Sequence, residues 1–215
     1  MRVLSLHGLG QSASAWEPVI EQLPMYKDYL SAFDLFSSLS EKEGVTLDVL
    51  DRQLSEKIKA IQEPFVLCGL SLGAILTLKQ AIRTNPFLKG IIVAAPQFET
   101  PNRLLLSFQN TVFRFLPQKS FTQFGLEKKQ ALQLMNSLSS LEMRNEVTGI
   151  HLPTLIICGE KDKANLPAAN TLASLISNSQ LKVIENGKHE LNTELPILFA
   201  EQIHFFLNQL ETTSS

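Results

Sequence analysis

The stretch that decides the fold of this chain is Gly69-Leu70-Ser71-Leu72-Gly73. It follows a short apolar run at residues 64–68 and precedes a run with helical character at residues 74–82. A strand that reverses into a helix through G-x-S-x-G is typical of a nucleophile elbow, whose strained backbone presents the serine hydroxyl at the strand tip. The flanking glycines remove side chains that would clash across such a turn. The helix N-terminus beneath Ser71 favours developing negative charge.

The pentapeptide alone is a weak signal, because average glycine and serine usage produces it by chance in roughly one chain in twenty of this size. The alternative is a glycine-rich turn that carries a solvated serine. An acylating serine also needs a base, a group that orients the base and donors for an oxyanion. On a scaffold with this elbow, these groups follow in the chain order serine, acid, histidine.

An acid and a histidine occur in that order, each after a predicted strand. Residues 152–158 predict a buried strand, and the turn after it ends at Asp162. Residues 181–184 predict a last strand, and His189 lies in the loop that follows. Both side chains should therefore lie beyond the carboxyl ends of strands, where sites form in open parallel sheets. Three nearby acids leave the assignment of the orienting acid open: Glu160, Glu185 and Glu190.

The motif on the oxyanion side comes at the start of the chain. Residues 3–6 predict a strand, and His7-Gly8-Leu9-Gly10 follows it at once. Together with the elbow, the acid and the histidine, this motif resembles the α/β-hydrolase family, in particular its small carboxylesterase-like members. The resemblance covers nearly the whole chain, from Val3 to Leu210.

The resemblance implies a role for each candidate residue. Ser71 would be the nucleophile, His189 the base and Asp162 the acid that orients it. The backbone N–H groups of Leu9 and Leu72 would form the oxyanion hole, and a histidine at position 7 would shape that loop without acting as the base.

Strands and helices alternate along most of the chain. The alternation predicts a single domain over residues 1–215, an α/β fold with a parallel sheet of about six strands and helices on both faces. Family topology implies that the strands, numbered along the chain, are ordered 2-1-3-4-5-6. Thr46 is expected to cap a helix, since apolar residues recur after it at helical spacing.

The alternation breaks at residues 98–148, where no strand pattern occurs and two or three helices are expected. Phenylalanines are concentrated there, and the family resemblance implies a small helical cap over the site. Phe98, Phe108 and Phe113 would then contact the substrate. The alternative is that these rings pack the helices onto the sheet.

Composition excludes several classes of function. The chain has 215 residues, 44% of them hydrophobic, and a net charge of −2, which gives no indication of nucleic-acid binding. It has no run of about twenty apolar residues that would span a membrane, and its opening residues do not combine basic residues with an apolar run of signal length. We therefore expect a cytoplasmic protein whose partner is a small-molecule ester, not nucleic acid or membrane.

Metal and cofactor motifs are missing from the sequence. No histidine, cysteine or carboxylate pair has metal-ligand spacing, and Gly8-x-Gly10 lacks the third glycine of a dinucleotide loop. We therefore expect neither a metal nor a cofactor. Cys68 and Cys158 each end a predicted buried strand, and both are expected to be free thiols, which fits a reducing compartment.

These observations predict a serine hydrolase that cleaves carboxylic esters through an acyl-enzyme. A thioesterase, an amidase or a carbon–carbon bond hydrolase could use the same three residues. A protein of another class, one that retains these residues but uses the site for binding alone, is the remaining alternative.

Overall fold

The computed structural model describes residues 1–37, 39, 44–100 and 126–213. Its centre is a sheet of six strands, all parallel, in the order β2-β1-β3-β4-β5-β6. The sheet and the strand order confirm the predictions. The strands are β1 (Arg2–Leu6), β2 (Leu30–Phe33), β3 (Phe65–Leu70), β4 (Leu88–Ala94), β5 (Thr154–Gly159) and β6 (Ser179–Ile184).

The helices of the described residues are numbered here along the chain. They are α1 (Glu17–Glu21), α2 (Leu47–Lys59), α3 (Leu72–Ala81), α4 (Lys128–Leu138), α5 (Arg144–Val147), α6 (Leu166–Leu175), α7 (Leu191–Glu194) and α8 (Pro196–Thr213). Short 3-10 helices occur at Ala13–Trp16 and Pro24–Tyr26.

The sheet is covered on both faces because its central strands are apolar on both sides. Along β3, Phe65 and Leu67 belong to a core formed with α2, α3, α4 and α6. Val66 and Cys68 belong to the opposite core, formed with α1 and α8. Alternate residues of a strand face opposite sides of a sheet, so a continuous apolar run is what a sheet covered on both faces requires.

The ends of the helices follow the local sequence. Thr46 caps α2 as predicted, its Oγ1 accepting a hydrogen bond from the Val49 N–H at 3.3 Å. The first helical segment of the chain has two parts. A 3-10 turn precedes an α-helix that begins at Glu17, because Pro18 lacks an N–H and is tolerated only in the first turn.

The sheet register brings four loops together at one edge. Leu6 pairs with Gly69, so the loop after β1 lies beside the elbow after β3. Gly159 pairs with Ile184, so the turn after β5 lies beside the loop after β6. All of these loops follow carboxyl ends of parallel strands, the edge where the candidate residues were expected.

The segment predicted as a cap lies between β4 and β5. Its described part contains helices α4 and α5, while residues 101–125 lie outside the described residues. Backbone hydrogen bonds join the chain just before those residues to the segment that follows α4. The Met143 N–H donates to the Phe98 carbonyl at 3.0 Å, and the Thr100 N–H donates to the Leu141 carbonyl at 2.6 Å.

Both cysteines are buried free thiols, as predicted. They lie on β3 and β5, which are separated by β4. Burial raises the pKa of both thiols, that of Cys158 to about 12. In the described part of the chain, no helix is both long and apolar enough to cross a bilayer.

Candidate active site

Ser71 occupies the sharp turn between β3 and α3. Its backbone has φ 54° and ψ −109°, a left-handed conformation that a residue with a side chain rarely adopts. A Cβ on Gly69 would overlap the Gly73 carbonyl, and one on Gly73 would overlap the Leu6 carbonyl. The turn therefore requires glycine at both positions, and the strained serine is held in place by β3, α3 and β1.

The first turn of α3 provides hydrogen-bond donors beside the serine. The helix begins at Leu72, and the first N–H groups of an α-helix have no partner within the helix. The positive end of the helix dipole lies there as well. An oxygen that gains negative charge next to Ser71 would be stabilised by both effects.

Asp162 lies in the turn after β5, and its carboxylate is almost fully buried. It accepts hydrogen bonds from His189 Nδ1 at 2.8 Å and from Asn165 Nδ2 at 2.9 and 3.0 Å. The Asn165 backbone N–H donates to Oδ1 at 3.3 Å. Burial alone would raise the pKa of Asp162, but the hydrogen bonds from His189 and Asn165 outweigh it and lower the pKa.

His189 lies in the loop after β6 and is partly exposed. Its hydrogen bond to Asp162 raises the pKa of the imidazole, burial opposes that rise, and the charges of Glu190 and Glu194 add to it. A carboxylate can only accept, so Nδ1 carries the proton and Nε2 is left as the acceptor. Asn165 Nδ2 lies 3.1 Å from His189 Nδ1, and both groups donate to the carboxylate between them.

The loops that carry Asp162 and His189 are joined by the backbone. The Lys161 N–H donates to the Gly187 carbonyl at 2.8 Å. Lys161 immediately precedes Asp162, and Gly187 lies two residues before His189. The three other acids considered from the sequence are exposed and do not replace Asp162 in this contact: Glu160, Glu185 and Glu190. The predicted contact between the imidazole and Asp162 is therefore present in the structure.

Ser71 and His189 face the same cleft, which has a volume of about 430 Å³. Both residues belong to the described part of the chain, and no hydrogen bond joins them there. Catalytic hydrogen bonds are often long in unliganded structures and tighten when substrate binds. The cleft is lined mainly by apolar side chains. They are Leu9, Leu72, Ile75, Met135, Leu138, Leu141 and Ala164, with Gln97 and Glu99 as polar neighbours.

His7 holds the loop that contains Leu9. Its ring is fully buried, Nδ1 donates to the Gly8 carbonyl at 2.9 Å, and Nε2 accepts from the Leu35 N–H at 3.0 Å. Burial lowers the pKa of His7, so the ring is neutral. Both ring nitrogens are engaged in these hydrogen bonds, so His7 shapes the loop and has no free nitrogen to act as a base.

Of the three phenylalanines expected at the substrate site, only Phe98 belongs to the described residues. Phe98 is fully buried in the core, and the cleft is lined by its neighbours Gln97 and Glu99. The prediction is wrong for Phe98, because its ring packs into the core while the residues on either side of it line the cleft. Phe108 and Phe113 lie outside the described residues.

Helix α4, which belongs to the segment predicted as a cap, lines the cleft with Met135 and Leu138. One residue that contacts the site was missed in the sequence. Asn165 was not considered at all. The only local signal was its place three residues after Asp162, a spacing at which a turn brings side chains together.

In the part of the chain that the structure describes, no group of three histidine, cysteine or acidic side chains could hold a metal ion. The polar residues of the cleft include a strained serine at a helix N-terminus and a histidine that a buried carboxylate orients. This arrangement can perform nucleophilic acyl transfer, in which the serine oxygen attacks a carbonyl carbon.

Comparison with known proteins places this geometry in context. The model of the family described as "Alpha/beta hydrolase family" matches residues 3–202. Monoacylglycerol lipase ABHD6 of Mus musculus is 25% identical over 272 aligned positions, covering 99% of this chain and 77% of that protein. ABHD6 of Bos taurus is 28% identical, with the same coverage.

One solved structure illustrates the likeness of the fold. The enol-lactonase from Burkholderia xenovorans LB400 has a TM-score of 0.81 at 17% identity, covering 96% of this chain and 91% of that one. At this identity the similarity is one of fold alone.

Proposed function

Because the chain belongs to the alpha/beta hydrolase family, we propose that it is a serine hydrolase that cleaves carboxylic esters through an acyl-enzyme. The observation that carries the proposal is the Asp162–His189 pair, joined at 2.8 Å and facing the same cleft as the strained Ser71. Each group that acylation requires has a candidate here: a nucleophile, a base, an orienting acid and backbone donors.

In the first half of the reaction, Ser71 Oγ attacks the ester carbonyl while His189 Nε2 takes the hydroxyl proton. The carbonyl oxygen becomes an oxyanion that accepts hydrogen bonds from the Leu9 and Leu72 N–H groups. The intermediate collapses, the carbon–oxygen bond to the alcohol breaks, and the alcohol leaves with the proton from His189. The acyl group remains on Ser71.

In the second half, water takes the place of the alcohol. His189 Nε2 removes a proton from the water, whose oxygen attacks the acyl carbon. The second tetrahedral intermediate collapses, Ser71 Oγ regains a proton from His189, and the carboxylic acid is released. Asp162 stays ionised throughout, since its lowered pKa and its hydrogen bonds stabilise the carboxylate beside an imidazolium.

The apolar lining of the cleft favours an ester with an apolar acyl group. Leu72, Ile75, Leu138 and Leu141 would contact such a group once it is attached to Ser71. The name of the ABHD6 relatives, monoacylglycerol lipase, also refers to an ester of a fatty acid. This supports ester cleavage over amide or carbon–carbon bond cleavage as the reaction of this chain.

A fluorophosphonate probe tests the proposal, because it phosphonylates only an activated serine. We expect stoichiometric labelling of the purified protein, a labelled peptide that contains Ser71, and repeated turnover of p-nitrophenyl esters. Ser137 is the internal control and should remain unlabelled. Its hydroxyl lies outside the cleft, where it donates to the Leu134 carbonyl at 2.7 Å and accepts from the Leu47 N–H at 2.9 Å. Labelling at another serine, or turnover that stops after one cycle, would contradict the proposal.

A further inference from the structure

A buried pair of side-chain amides joins the oxyanion loop to the histidine loop. Gln11 Nε2 donates to Asn192 Oδ1 at 3.1 Å, and Asn192 Nδ2 donates back to Gln11 Oε1 at 3.2 Å. Asn192 has no exposed surface and Gln11 is 9% exposed. The two residues are 181 positions apart in the sequence, so the contact joins loops near opposite ends of the chain.

Backbone groups determine the orientation of both amides. The Gly8 N–H can only donate, and it donates to Gln11 Oε1 at 3.3 Å. The Ala15 carbonyl can only accept, and it accepts from Asn192 Nδ2 at 3.1 Å. These two contacts identify which end of each amide is oxygen and which is nitrogen, and the reciprocal pair between the amides follows from that orientation.

Each amide lies close to a different part of the reaction centre. Gly8 immediately precedes Leu9, and a Cβ on Gly8 would lie 3.5 Å from Ser71 Cβ, so the loop lies against the nucleophile. Asn192 follows His189 by three residues, in the short helix α7. The pair therefore spans the two loops that must hold the oxyanion donor and the base on either side of one carbonyl group.

We propose that Gln11 and Asn192 are positioning residues that set the oxyanion loop at a defined distance from the His189 loop. The inference rests on the proposed function and deepens it. Gln11 engages the Gly8 N–H, which leaves the N–H of the next residue, Leu9, as the oxyanion donor of this loop. Asn192 bonds the same Gln11 amide, and it thereby fixes the segment that carries the His189 imidazole. Neither side chain touches the substrate.

A structural role alone would change stability without changing the rate of the folded enzyme. The pair is therefore tested by replacing both amides with apolar side chains of similar shape, Gln11→Met with Asn192→Leu. Replacing both residues together avoids leaving one buried amide without its hydrogen-bond partner in the pair. Gln80→Met is the matched control, because Gln80 is an equally buried amide that bonds Asp51 away from the cleft.

Three quantities are measured on folded protein: kcat/KM for p-nitrophenyl butyrate, the inhibition constant of an alkylboronic acid and the melting temperature. A boronic acid forms a tetrahedral adduct with the serine and so reports on the oxyanion hole. We expect the double variant to lose about ten- to a hundredfold in kcat/KM, as a small misplacement of reacting groups does. Boronate affinity should fall as well, while Gln80→Met lowers only the melting temperature.

If the double variant does not fold, Gln11→Asn keeps an amide and shortens the side chain, so that it no longer spans Gly8 and Asn192. A smaller loss of kcat/KM in the same direction is then expected. If either variant folds and keeps the kcat/KM and the boronate affinity of the wild type, this inference is overturned while the proposed function stands. If the wild-type protein does not hydrolyse esters, or does so independently of Ser71, both the proposed function and this inference are overturned.

Discussion

His189 donates its Nδ1 proton to the buried carboxylate of Asp162 across 2.8 Å, which leaves Nε2 free to accept a proton in the cleft. The two residues come from different loops and are brought together by the pairing of β5 with β6. The contact determines both the tautomer and the pKa of the imidazole, so most of the chemistry proposed for the site depends on it.

The pH dependence of activity follows from this contact. The hydrogen bond to Asp162 raises the pKa of His189 above its ordinary value of about 6.5. Only the neutral imidazole can take the proton of Ser71, so kcat/KM should rise with pH through a midpoint above that value and then level off. In Asp162→Asn the bond no longer favours the charged ring, and the midpoint should move down. A midpoint that is the same in both proteins would contradict this assignment.

Asn165 should matter through Asp162. Its side chain and backbone N–H donate to the carboxylate, and these bonds help to lower the pKa of Asp162. Asn165→Leu removes the side-chain donor, and a bond to a charged group is worth about 1.5–3 kcal/mol, so we expect roughly a tenfold loss of kcat/KM. Asn170→Leu is the control, since Asn170 Nδ2 bonds the Leu166 carbonyl at 2.8 Å on the exposed side of α6. Equal rates in the two variants would exclude this role for Asn165.

Acyl-chain selectivity should depend on α4. Leu138 lines the cleft that also contains Ser71, and a larger side chain there would fill part of its volume of about 430 Å³. Leu138→Trp should lower kcat/KM for p-nitrophenyl octanoate by about tenfold relative to p-nitrophenyl acetate, because a long chain loses apolar contacts that a short one never made. The control is Leu198→Trp on α8, outside the cleft. An unchanged ratio would show that the acyl group lies elsewhere.

The sequence predicted those parts of the fold that depend on local pattern. The alternation of apolar strands and helices predicted six parallel strands, and the two flanking glycines predicted the strained turn at Ser71. Asp162 and His189 could be predicted together because the carboxyl ends of parallel strands meet at one edge of the sheet. The strand order needed the family resemblance, since local pattern does not determine which strands are neighbours.

Features that depend on tertiary packing were not predictable in the same way. A phenylalanine such as Phe98 has the same sequence signal whether it lines a cleft or fills a core. The pairing of Gln11 with Asn192 joins residues at opposite ends of the chain, and neither belongs to a motif. Asn165 lies next to Asp162 in space because of the conformation of a single turn, which propensity alone does not specify.

The identity of the nucleophile is the central claim, and Ser71→Ala tests it most directly. The measurement is the residual kcat/KM of the purified, folded variant on an ester that the wild type cleaves, with a thermal melt to verify folding. We expect nearly all hydrolysis to be lost and the melting temperature to stay about the same, since alanine removes little packing and the strained turn remains. A folded variant that retains a substantial part of the wild-type rate would show that Ser71 is not the nucleophile.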